Sequence, residues 1–321
     1  MDYTINMLHR KNKTKDVFFV FSRHKKQLVK ALQQNPEFKE KYQVFGFNVD
    51  EYSKNYKNIQ RTIKLARAQN KQIAGLVYNF GTILPPLITQ NALLLNIHFS
   101  ELPMWRGCCP VIPGILSTKG LGITVHKVTE NVDSGDIFYR KSVSLDNFCT
   151  KQAIKNNIQL INLANAQEIT ENLHKQTLTI VVPYILESFL NKKVFNKDNY
   201  VKQEAPATYS KRALLNKTKA KIDFKTQDAF SILHKVSALY PEPVAFTDIM
   251  VDKNKKELNI HKVAVVYGLN LNPGQVGFIK NQGLFVGTLA GVVKMQEGAI
   301  SGKKVLKDTQ WLSLKGRIRF I

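Results

Sequence analysis

Short apolar runs alternate with amphipathic segments at the start of the chain, and this alternation limits the fold more than any other feature. The runs Asp16–Phe21, Tyr42–Val49 and Ile73–Phe80 are rich in Val, Ile, Phe and Tyr, which is typical of buried strands. Between them, Lys25–Gln33 and Tyr56–Ala68 carry apolar residues at helical spacing. Strands that alternate with helices predict an α/β domain built on a parallel sheet.

The middle of the chain is predicted to extend this sheet. We expect a strand at Leu94–His98 and a hairpin formed by Ile123–Val128 and Ile137–Val143. The Pro- and Gly-containing stretch Pro110–Gly114 predicts a loop. The apolar spacing in Lys151–Leu190 predicts a long helical region.

The last third of the chain has a different pattern. A basic, polar stretch at 196–212 predicts a linker, which divides the chain into two predicted domains, 1–195 and 213–321. In the second domain, Asp228–Leu239 predicts a helix. Closely spaced short strands then predict a small barrel or sandwich. These strands are Val244–Ile249, Glu257–Tyr267, Gly274–Ile279, Gly283–Leu289 and Val292–Glu297.

The chain is strongly basic along its whole length. It carries 47 Lys and Arg against 24 Asp and Glu, a formal net charge of +23, with 27 basic and 15 acidic residues in 1–200 and 20 and 9 in 201–321. This excess predicts a polyanionic partner, of which nucleic acid is the commonest, although a lysine-rich composition set by biased codon usage is an alternative. No apolar run reaches 18 residues, and three cysteines are too few for a disulfide framework. We therefore expect no membrane-spanning helix and a reducing compartment.

Three polar residues suggest a catalytic site. Asn96 and His98 are two positions apart at the end of a predicted strand, so they share a face and open onto the crevice at the sheet edge. An amide donor beside an imidazole can stabilise an oxyanion and transfer a proton, and Asp133, on a predicted turn, could orient or charge His98. Each residue alone also has a structural explanation, as a satisfied histidine, a turn cap or a turn former before Gly135. Their combination is what predicts chemistry.

These residues belong to a series of motifs that resembles the folate-dependent formyltransferase family. The series consists of Asn79–Pro85 (NFGTILP), Asn96–His98 (NIH), Ser100–Gly107 (SELPMWRG), Gly122–His126 (GITVH) and Val132–Asp136 (VDSGD). Within the family, the chain is most similar to the branch that acts on methionyl-tRNA. The segments with this similarity are Trp105–Pro110, Ala207–Lys211, Ala220–Phe224, Pro273–Val276 and Gly302–Lys304.

The resemblance implies a Rossmann-like sheet domain followed by a small OB-like β-barrel. It also implies formyl transfer from 10-formyltetrahydrofolate to the α-amine of initiator methionyl-tRNA by a monomeric, metal-free enzyme. Asn96 and protonated His98 would stabilise the oxyanion, and Asp133 would hold His98 and relay a proton. The residues assigned in this way to the folate are Phe80, Gly81, Ile83, Leu84, Pro85, Ser100, Leu102, Pro103, Glu130 and Val132. Those assigned to tRNA are Arg106, Lys211, Arg212, Lys217, Lys219, Lys303 and Lys304.

The chain also departs from the family pattern. Phe21-Ser22-Arg23 stands where the family has a Gly-Thr turn, and only one helix fits between Val49 and Ile73, where the family has a basic loop, a helix and a strand. His126 is unusual for the tRNA branch, whereas the purine-pathway branch has a similar histidine. The shortened region predicts that tRNA is held mainly by the linker and the second domain.

Several related functions stay open on the sequence. A glycinamide ribonucleotide formyltransferase or a formyltetrahydrofolate hydrolase would share the three catalytic residues, but neither needs residues 196–321 in this form. A sugar-nucleotide formyltransferase has a similar second domain but little need for the positive charge. A catalytically inactive RNA-binding protein is the alternative outside the enzymes. By resemblance to organellar members we expect the mitochondrial matrix, with the cytoplasm as the alternative.

Overall fold

Two large β-sheets organise the chain. A computed structural model describes residues 15–204, 206–211, 216–301 and 303–321. The first unit contains the described residues up to Cys108, with Gly122–Ser142 and Leu173–Tyr209. The second unit contains Cys109–Leu121, Val143–Asn172 and the described residues from Ser210 onward. Each unit therefore draws on several stretches of chain, and the domain limits at 195 and 213 stay a prediction.

The elements are numbered along the chain. The strands are β1 Asp16–Ser22, β2 Tyr42–Phe47, β3 Ile73–Tyr78, β4 Leu93–His98, β5 Arg106–Gly107, β6 Gly122–Lys127, β7 Ile137–Ser142, β8 Cys149–Ile154, β9 Ile158–Leu163, β10 Tyr209–Ser210, β11 Ala245–Val251, β12 Asn254–Tyr267, β13 Val276–Ile279, β14 Gly283–Gly287, β15 Val292–Ile300, β16 Val305–Lys307 and β17 Ile318–Phe320. The helices are α1 Lys25–Gln34, α2 Pro36–Lys41, α3 Val49–Ala68, α4 Pro86–Thr89, α5 Val111–Ser117, α6 Ala166–Gln176, α7 Val182–Leu190, α8 Lys217–Ala220 and α9 Ala229–Leu239.

The sheet of the first unit is mixed and has the strand order β2-β1-β3-β4-β6-β7. Strands β1 to β4 are parallel, whereas β6 and β7 form an antiparallel hairpin beside β4. The predicted parallel sheet and hairpin are therefore confirmed. Tyr78 pairs with Ile97, so the carboxyl ends of β3 and β4 lie side by side. This register places His98 at the edge where α/β sheets bind ligands.

Helix α3 covers one face of this sheet and is longer than the sequence pattern indicated. It begins at Val49 because Asn48 and Glu51 form a capping box, in which each side chain accepts a hydrogen bond from the other residue's backbone N–H. Ile59 and Ile63 are buried against the sheet, and each such side chain contributes about 1.5–3 kcal/mol. The single helix predicted between β2 and β3 is confirmed.

Two sequence predictions in the middle of the chain are wrong. Pro110–Gly114 is not a loop, because helix α5 starts there; its Pro113 lies in the first turn, where a backbone N–H has no helical partner to lose. Lys151–Leu190 is not one helical region, because β8 and β9 form a hairpin before α6 and α7 begin. Asn156 and Asn157 make this hairpin turn with left-handed φ values of 65° and 57°, a conformation that favours asparagine.

The sheet of the second unit is antiparallel. Its main path is β13-β14-β15-β12-β11-β17, and the long strand β12 also pairs with β9. Helix α9 starts after Asp228, whose carboxylate accepts a hydrogen bond from the Ser231 N–H at 2.9 Å. The predicted helix and the closely spaced strands after it are confirmed, and β9 joins them because Ile158 and Leu160 alternate with the exposed Gln159.

Candidate active site

One strand and one turn of the first unit supply the candidate catalytic side chains. Asn96 and His98 lie on β4, two residues apart. Asp133 lies in the turn between β6 and β7, with a left-handed φ of 49°. Gly135 is required in this turn, because a Cβ there would lie 2.0 Å from the carbonyl oxygen of Lys127. The tight turn brings the Asp133 carboxylate to β4.

The three side chains converge, as the sequence predicts. The Asn96 Nδ2–H donates a hydrogen bond to Asp133 Oδ1 at 3.0 Å, and His98 Nδ1 lies 3.5 Å from Asp133 Oδ2. The side chains of His98 and Asp133 are only 7% and 11% exposed. Because water is largely excluded from them, the interactions among these groups are stronger than they would be at the surface.

His126 adds a second imidazole that sequence reasoning noted but did not place in the site. Its Nδ1–H donates to the carbonyl oxygen of Lys127 at 2.8 Å, so Nε2 faces the site. Nε2 lies 3.1 Å from Asn96 Nδ2 and 3.3 Å from Asp133 Oδ1. The two N–H groups of Asn96 Nδ2 therefore face Asp133 Oδ1 and His126 Nε2.

The electrostatics set the resting protonation of the site. Burial by itself raises the pKa of Asp133, but the hydrogen bond from His126, the charges of both histidines and the Gly107 N–H outweigh it and lower the pKa to about 2. Burial lowers the pKa of His98 and outweighs the opposing effects of Asp133 and of the Trp105 carbonyl. At neutral pH an ionised carboxylate thus lies beside a neutral imidazole. The protonated His98 that the resemblance implies beside the oxyanion stays a prediction. Because burial disfavours the imidazolium, His98 would take up this proton during the reaction.

The backbone of residues 105–107 completes the surroundings of the catalytic groups. His98 Nε2–H donates to the carbonyl oxygen of Trp105 at 2.9 Å, which leaves Nδ1 facing Asp133. The Gly107 N–H donates to Asp133 Oδ2 at 2.8 Å. This backbone therefore fixes both the tautomer of His98 and the position of the carboxylate.

Comparison with known protein families gives the site its context. The formyl transferase family matches residues 2–171, more than half of the chain, and the formyl transferase C-terminal domain matches residues 214–316. The chain belongs to the formyl transferase family. It is an enzyme of this kind, and Asn96, His98 and Asp133 all lie within the first matched region.

Individual relatives of this formyl transferase agree with the family assignment. A methionyl-tRNA formyltransferase of Buchnera aphidicola subsp. Baizongia pistaciae is 25% identical over 250 residues, which cover 75% of this chain and 68% of that relative. A solved methionyl-tRNA formyltransferase from Clostridium thermocellum has a TM-score of 0.52 at 18% identity and covers 91% of this chain and 99% of its own. HypX from Aquifex aeolicus in complex with tetrahydrofolic acid has a TM-score of 0.56 at 17% identity, covering 93% and 47%. The two solved structures show a shared fold.

The residues assigned to folate divide by burial in this formyl transferase. Ile83 and Val132 are 75% and 47% exposed. Glu130 is exposed and accepts a hydrogen bond from Gln90 at 2.8 Å, which ties the end of α4 to the loop after β6. Gly81 is exposed with a φ of 76°, and Pro85 directly precedes α4. Others are buried: Phe80, Leu84, Ser100 and Leu102.

Three members of this set hold the loop between β4 and β5 through hydrogen bonds. The Ser100 hydroxyl donates to the Met104 carbonyl at 2.6 Å, and the Leu102 N–H donates to the Thr124 hydroxyl at 3.2 Å. The Pro103 carbonyl accepts a hydrogen bond from the Thr208 N–H at 3.3 Å. These contacts shape the loop between β4 and β5. Contact of Ser100, Leu102 and Pro103 with folate stays a prediction.

The residues assigned to tRNA are mostly exposed lysines of the second unit. Lys211, Lys219, Lys303 and Lys304 are exposed, and Lys217 Nζ lies 2.9 Å from Glu257. Arg212 lies outside the described residues. Arg106 differs from this group: it belongs to the first unit, and its guanidinium donates two hydrogen bonds to Gln203 Oε1, at 3.0 and 2.7 Å.

Two other kinds of site are not found in the described parts of the chain. No group of three or more His, Cys, Asp or Glu side chains there could hold a metal ion. None of the helices described is long and apolar enough to cross a membrane.

Sequence reasoning missed Gln203, which contacts the Asp133 turn. The only signal for it was its place four residues before the Ala207–Lys211 motif, with Lys202 and Glu204 on either side. This context indicated nothing beyond a linker.

Proposed function

We propose that this formyl transferase carries a formyl group from 10-formyltetrahydrofolate to the α-amine of initiator methionyl-tRNA, for translation initiation. The observation that carries this proposal is the shared contact of Asn96 and His98 with Asp133. Formyl transfer to an amine develops negative charge on the formyl oxygen and releases a proton from the amine. An amide donor and a neutral imidazole backed by a carboxylate supply what both events need.

Each catalytic residue has a definite task in this proposal. The folate donor supplies an activated formyl carbon and a nitrogen leaving group. The Asn96 amide would turn one of its two N–H groups, which contact Asp133 and His126 in this structure, to the formyl oxygen. Such a donor typically contributes about 10²–10³ in rate. His98 Nδ1 takes the proton released by the amine, and the ionised Asp133, 3.5 Å away, stabilises the imidazolium that forms. The same proton then passes to the folate nitrogen as its bond to the formyl carbon breaks.

The loops around the site suit a folate. Ile83 lies in the loop before α4, and Val132 lies in the loop after β6, which the Gln90–Glu130 hydrogen bond ties to the end of α4. Small-molecule sites are lined mainly by apolar side chains with a few polar groups. Ile83 and Val132 would contact the pterin ring, with Gly81 allowing close approach of the backbone. HypX from Aquifex aeolicus, which shares this fold, was solved with tetrahydrofolic acid bound, and this complex is consistent with a folate donor here.

Three observations favour methionyl-tRNA over other amines. The relative from Buchnera carries the name methionyl-tRNA formyltransferase. The net charge of +23 suits a polyanionic substrate. The second unit exposes Lys211, Lys219, Lys303 and Lys304, which a small-molecule substrate would not need.

A substrate competition tests the proposal. The full chain is incubated with 10-formyltetrahydrofolate and, in separate reactions, charged initiator tRNA, glycinamide ribonucleotide or an amino-sugar nucleotide. We expect formyl-methionyl-tRNA to form with a kcat/KM at least about 10³ above that of the other amines. Faster formylation of either small molecule would replace the proposed substrate, and release of formate without an acceptor would indicate a hydrolase.

The compartment is a separate proposal. We infer a mitochondrial-matrix enzyme from the resemblance to organellar members, although the Buchnera relative is bacterial. Imaging of the tagged full chain in its native cell tests this directly: matrix signal is expected, and a diffuse cytoplasmic signal would contradict it.

A further inference from the structure

Gln203 bridges the turn that carries Asp133. Its Nε2 donates two hydrogen bonds, to the carbonyl oxygens of Asp133 at 2.9 Å and Gly135 at 2.8 Å. Both N–H groups of the side-chain amide are therefore used on this one turn. Asp133 has a left-handed φ, and these contacts hold its carbonyl and that of Gly135 within the turn.

The same side chain also contacts the loop on the other side of the Asp133 carboxylate. Gln203 Oε1 accepts hydrogen bonds from Arg106 Nε and Nη2. The next residue, Gly107, donates its N–H to Asp133 Oδ2. Gln203 thus contacts the Asp133 turn through its backbone carbonyls and strand β5 through the Arg106 side chain, and both segments determine where the Asp133 carboxylate lies.

Thr208 holds the backbone around the Trp105 carbonyl, which is the hydrogen-bond acceptor of His98. Its hydroxyl accepts a hydrogen bond from the Trp105 N–H at 2.9 Å, and its carbonyl accepts one from the Arg106 N–H at 2.9 Å. These bonds hold the peptide whose Trp105 carbonyl accepts the hydrogen bond from His98 Nε2–H. Two residues from the predicted linker therefore support the two sides of the His98–Asp133 pair.

We propose that Gln203 and Thr208 are positioning residues for formyl transfer. Gln203 acts through Asp133 and Thr208 acts through the Trp105 carbonyl, and together they keep His98 Nδ1 facing Asp133 Oδ2 at 3.5 Å. Neither side chain contacts the reacting atoms. This inference rests on the proposed roles of His98 and Asp133. It assigns Gln203 and Thr208 a role beyond that of the predicted linker in which they lie.

Two substitutions at Gln203 separate its two sets of contacts. Gln203→Met keeps the length and removes every hydrogen bond, whereas Gln203→Glu keeps the acceptor for Arg106 and loses both donors to the turn. Because small displacements of catalytic groups can cost up to about 100-fold, we expect kcat to fall about 10–100-fold in both variants, with KM for tRNA and folate changed less than about threefold. The exposed Gln33 on α1 gives the matched control, Gln33→Met, which is expected to leave kcat unchanged.

The pH profile distinguishes positioning from general stabilisation. Burial and the charge of His126 lower the pKa of His98, whereas the charge of Asp133 and the hydrogen bond to the Trp105 carbonyl raise it. A displaced Asp133 raises it less, so the acid limb of kcat should move to lower pH in Gln203→Met. If Gln203 only stabilised the fold, Gln203→Met would lower the melting temperature, but the acid limb of kcat measured for the folded enzyme would not move.

Thr208 supplies a rescue test that does not depend on the folding of the Gln203 variants. Thr208→Val removes the hydroxyl and should lower kcat about 10-fold, whereas Thr208→Ser keeps the hydroxyl and should restore it to within about twofold of the parent. The inference would be overturned if Gln203→Met and Thr208→Val both kept the kcat of the parent. It would also be overturned if Gln203→Met were folded and slow but kept the acid limb of the parent's pH profile. Asp133→Asn distinguishes a failure of the positioning role from a failure of the proposed function. If Asp133→Asn is fully active, the catalytic role of Asp133 is wrong. If Asp133→Asn is slow but the Gln203 and Thr208 variants are not, only the positioning role is wrong.

Discussion

The catalytic cluster of the first unit and the exposed lysines of the second unit use charge in opposite ways. Asp133 is 11% exposed, and both of its carboxylate oxygens have partners within 3.5 Å. Lys217 is 73% exposed, and its ion pair with Glu257 lies in water. The interactions of buried charges are strong and depend on exact geometry. Each exposed charge interacts only weakly, so exposed charges act through their combined effect.

This difference predicts different kinetic signatures for the two regions. Substitutions in the cluster of Asn96, His98 and Asp133 should change kcat through single atoms. Substitutions among the exposed lysines should change the binding of tRNA gradually and in a salt-dependent way. The following predictions test that separation, from the largest expected effect to the smallest.

The largest effect is expected at Asp133. Asp133→Asn keeps the shape of the side chain but removes the charge that stabilises an imidazolium at His98, so kcat should fall by about 10²–10³. Single-turnover formylation measures this rate. Asp50→Asn, at an exposed position on α3, is the matched control and should behave like the parent. An equal loss in both variants would mean that the cluster has no special role.

The lysines should give a smaller and salt-dependent effect. Replacing Lys211, Lys217, Lys219 and Lys304 by Gln removes exposed positive charge, so KM for charged tRNA should rise while kcat stays within about threefold. The slope of log KM against log salt should flatten by up to about one unit for each lost phosphate contact. Titration between about 50 and 200 mM salt measures it. An unchanged slope would show that the first unit holds the tRNA alone.

The pH dependence should report the burial of His98. Because burial lowers the pKa of His98, its neutral form persists below the ordinary histidine value of about 6.5. The kcat should therefore stay level as pH falls from about 8 to about 6.5 and decline only in more acidic solution. In Asp133→Asn the decline should begin at still lower pH. A parent profile with its midpoint above about 6.5 would contradict a neutral resting His98.

The smallest effect is expected for a single exposed ion pair. Lys217→Gln breaks the 2.9 Å contact with Glu257, and such exposed pairs contribute about 0.2–1 kcal/mol to the free energy of unfolding. Urea unfolding of the two single variants and the double variant isolates the pair. A coupling above about 2 kcal/mol would show that this lysine behaves like a buried charge.

The fold could be predicted where the pattern of apolar residues along the chain matches the burial of those residues in the structure. The runs that became β1 and β3 are almost fully buried and the run that became β2 is half-buried with buried ends, so their apolar composition identified them. The hairpin of β8 and β9 was missed because β9 pairs with β12, about a hundred residues further along the chain, and its buried Ile158 and Leu160 pack in one cluster with residues of β12. Helix α5 was missed because two prolines near its start resemble a loop.

The candidate site was predictable in part for a similar reason. Asn96 and His98 share a strand face, which period two alone determines, and the Asp133 turn follows from its Gly135. The resting charge of His98 depends on burial by distant residues, which sequence spacing does not reveal. Gln203 acts across about seventy residues, and its neighbours indicated only a linker.

Asn96 offers the most direct test of the central claim that one buried cluster performs the transfer. The measurement is the single-turnover rate of formyl transfer to charged initiator tRNA by the parent and by Asn96→Ala, at saturating tRNA and 10-formyltetrahydrofolate. Loss of the amide donor should lower this rate by about 10²–10³, with the affinity for tRNA and its salt dependence unchanged. A parent-like rate, or a loss confined to tRNA affinity, would contradict the assignment of the chemistry to this cluster.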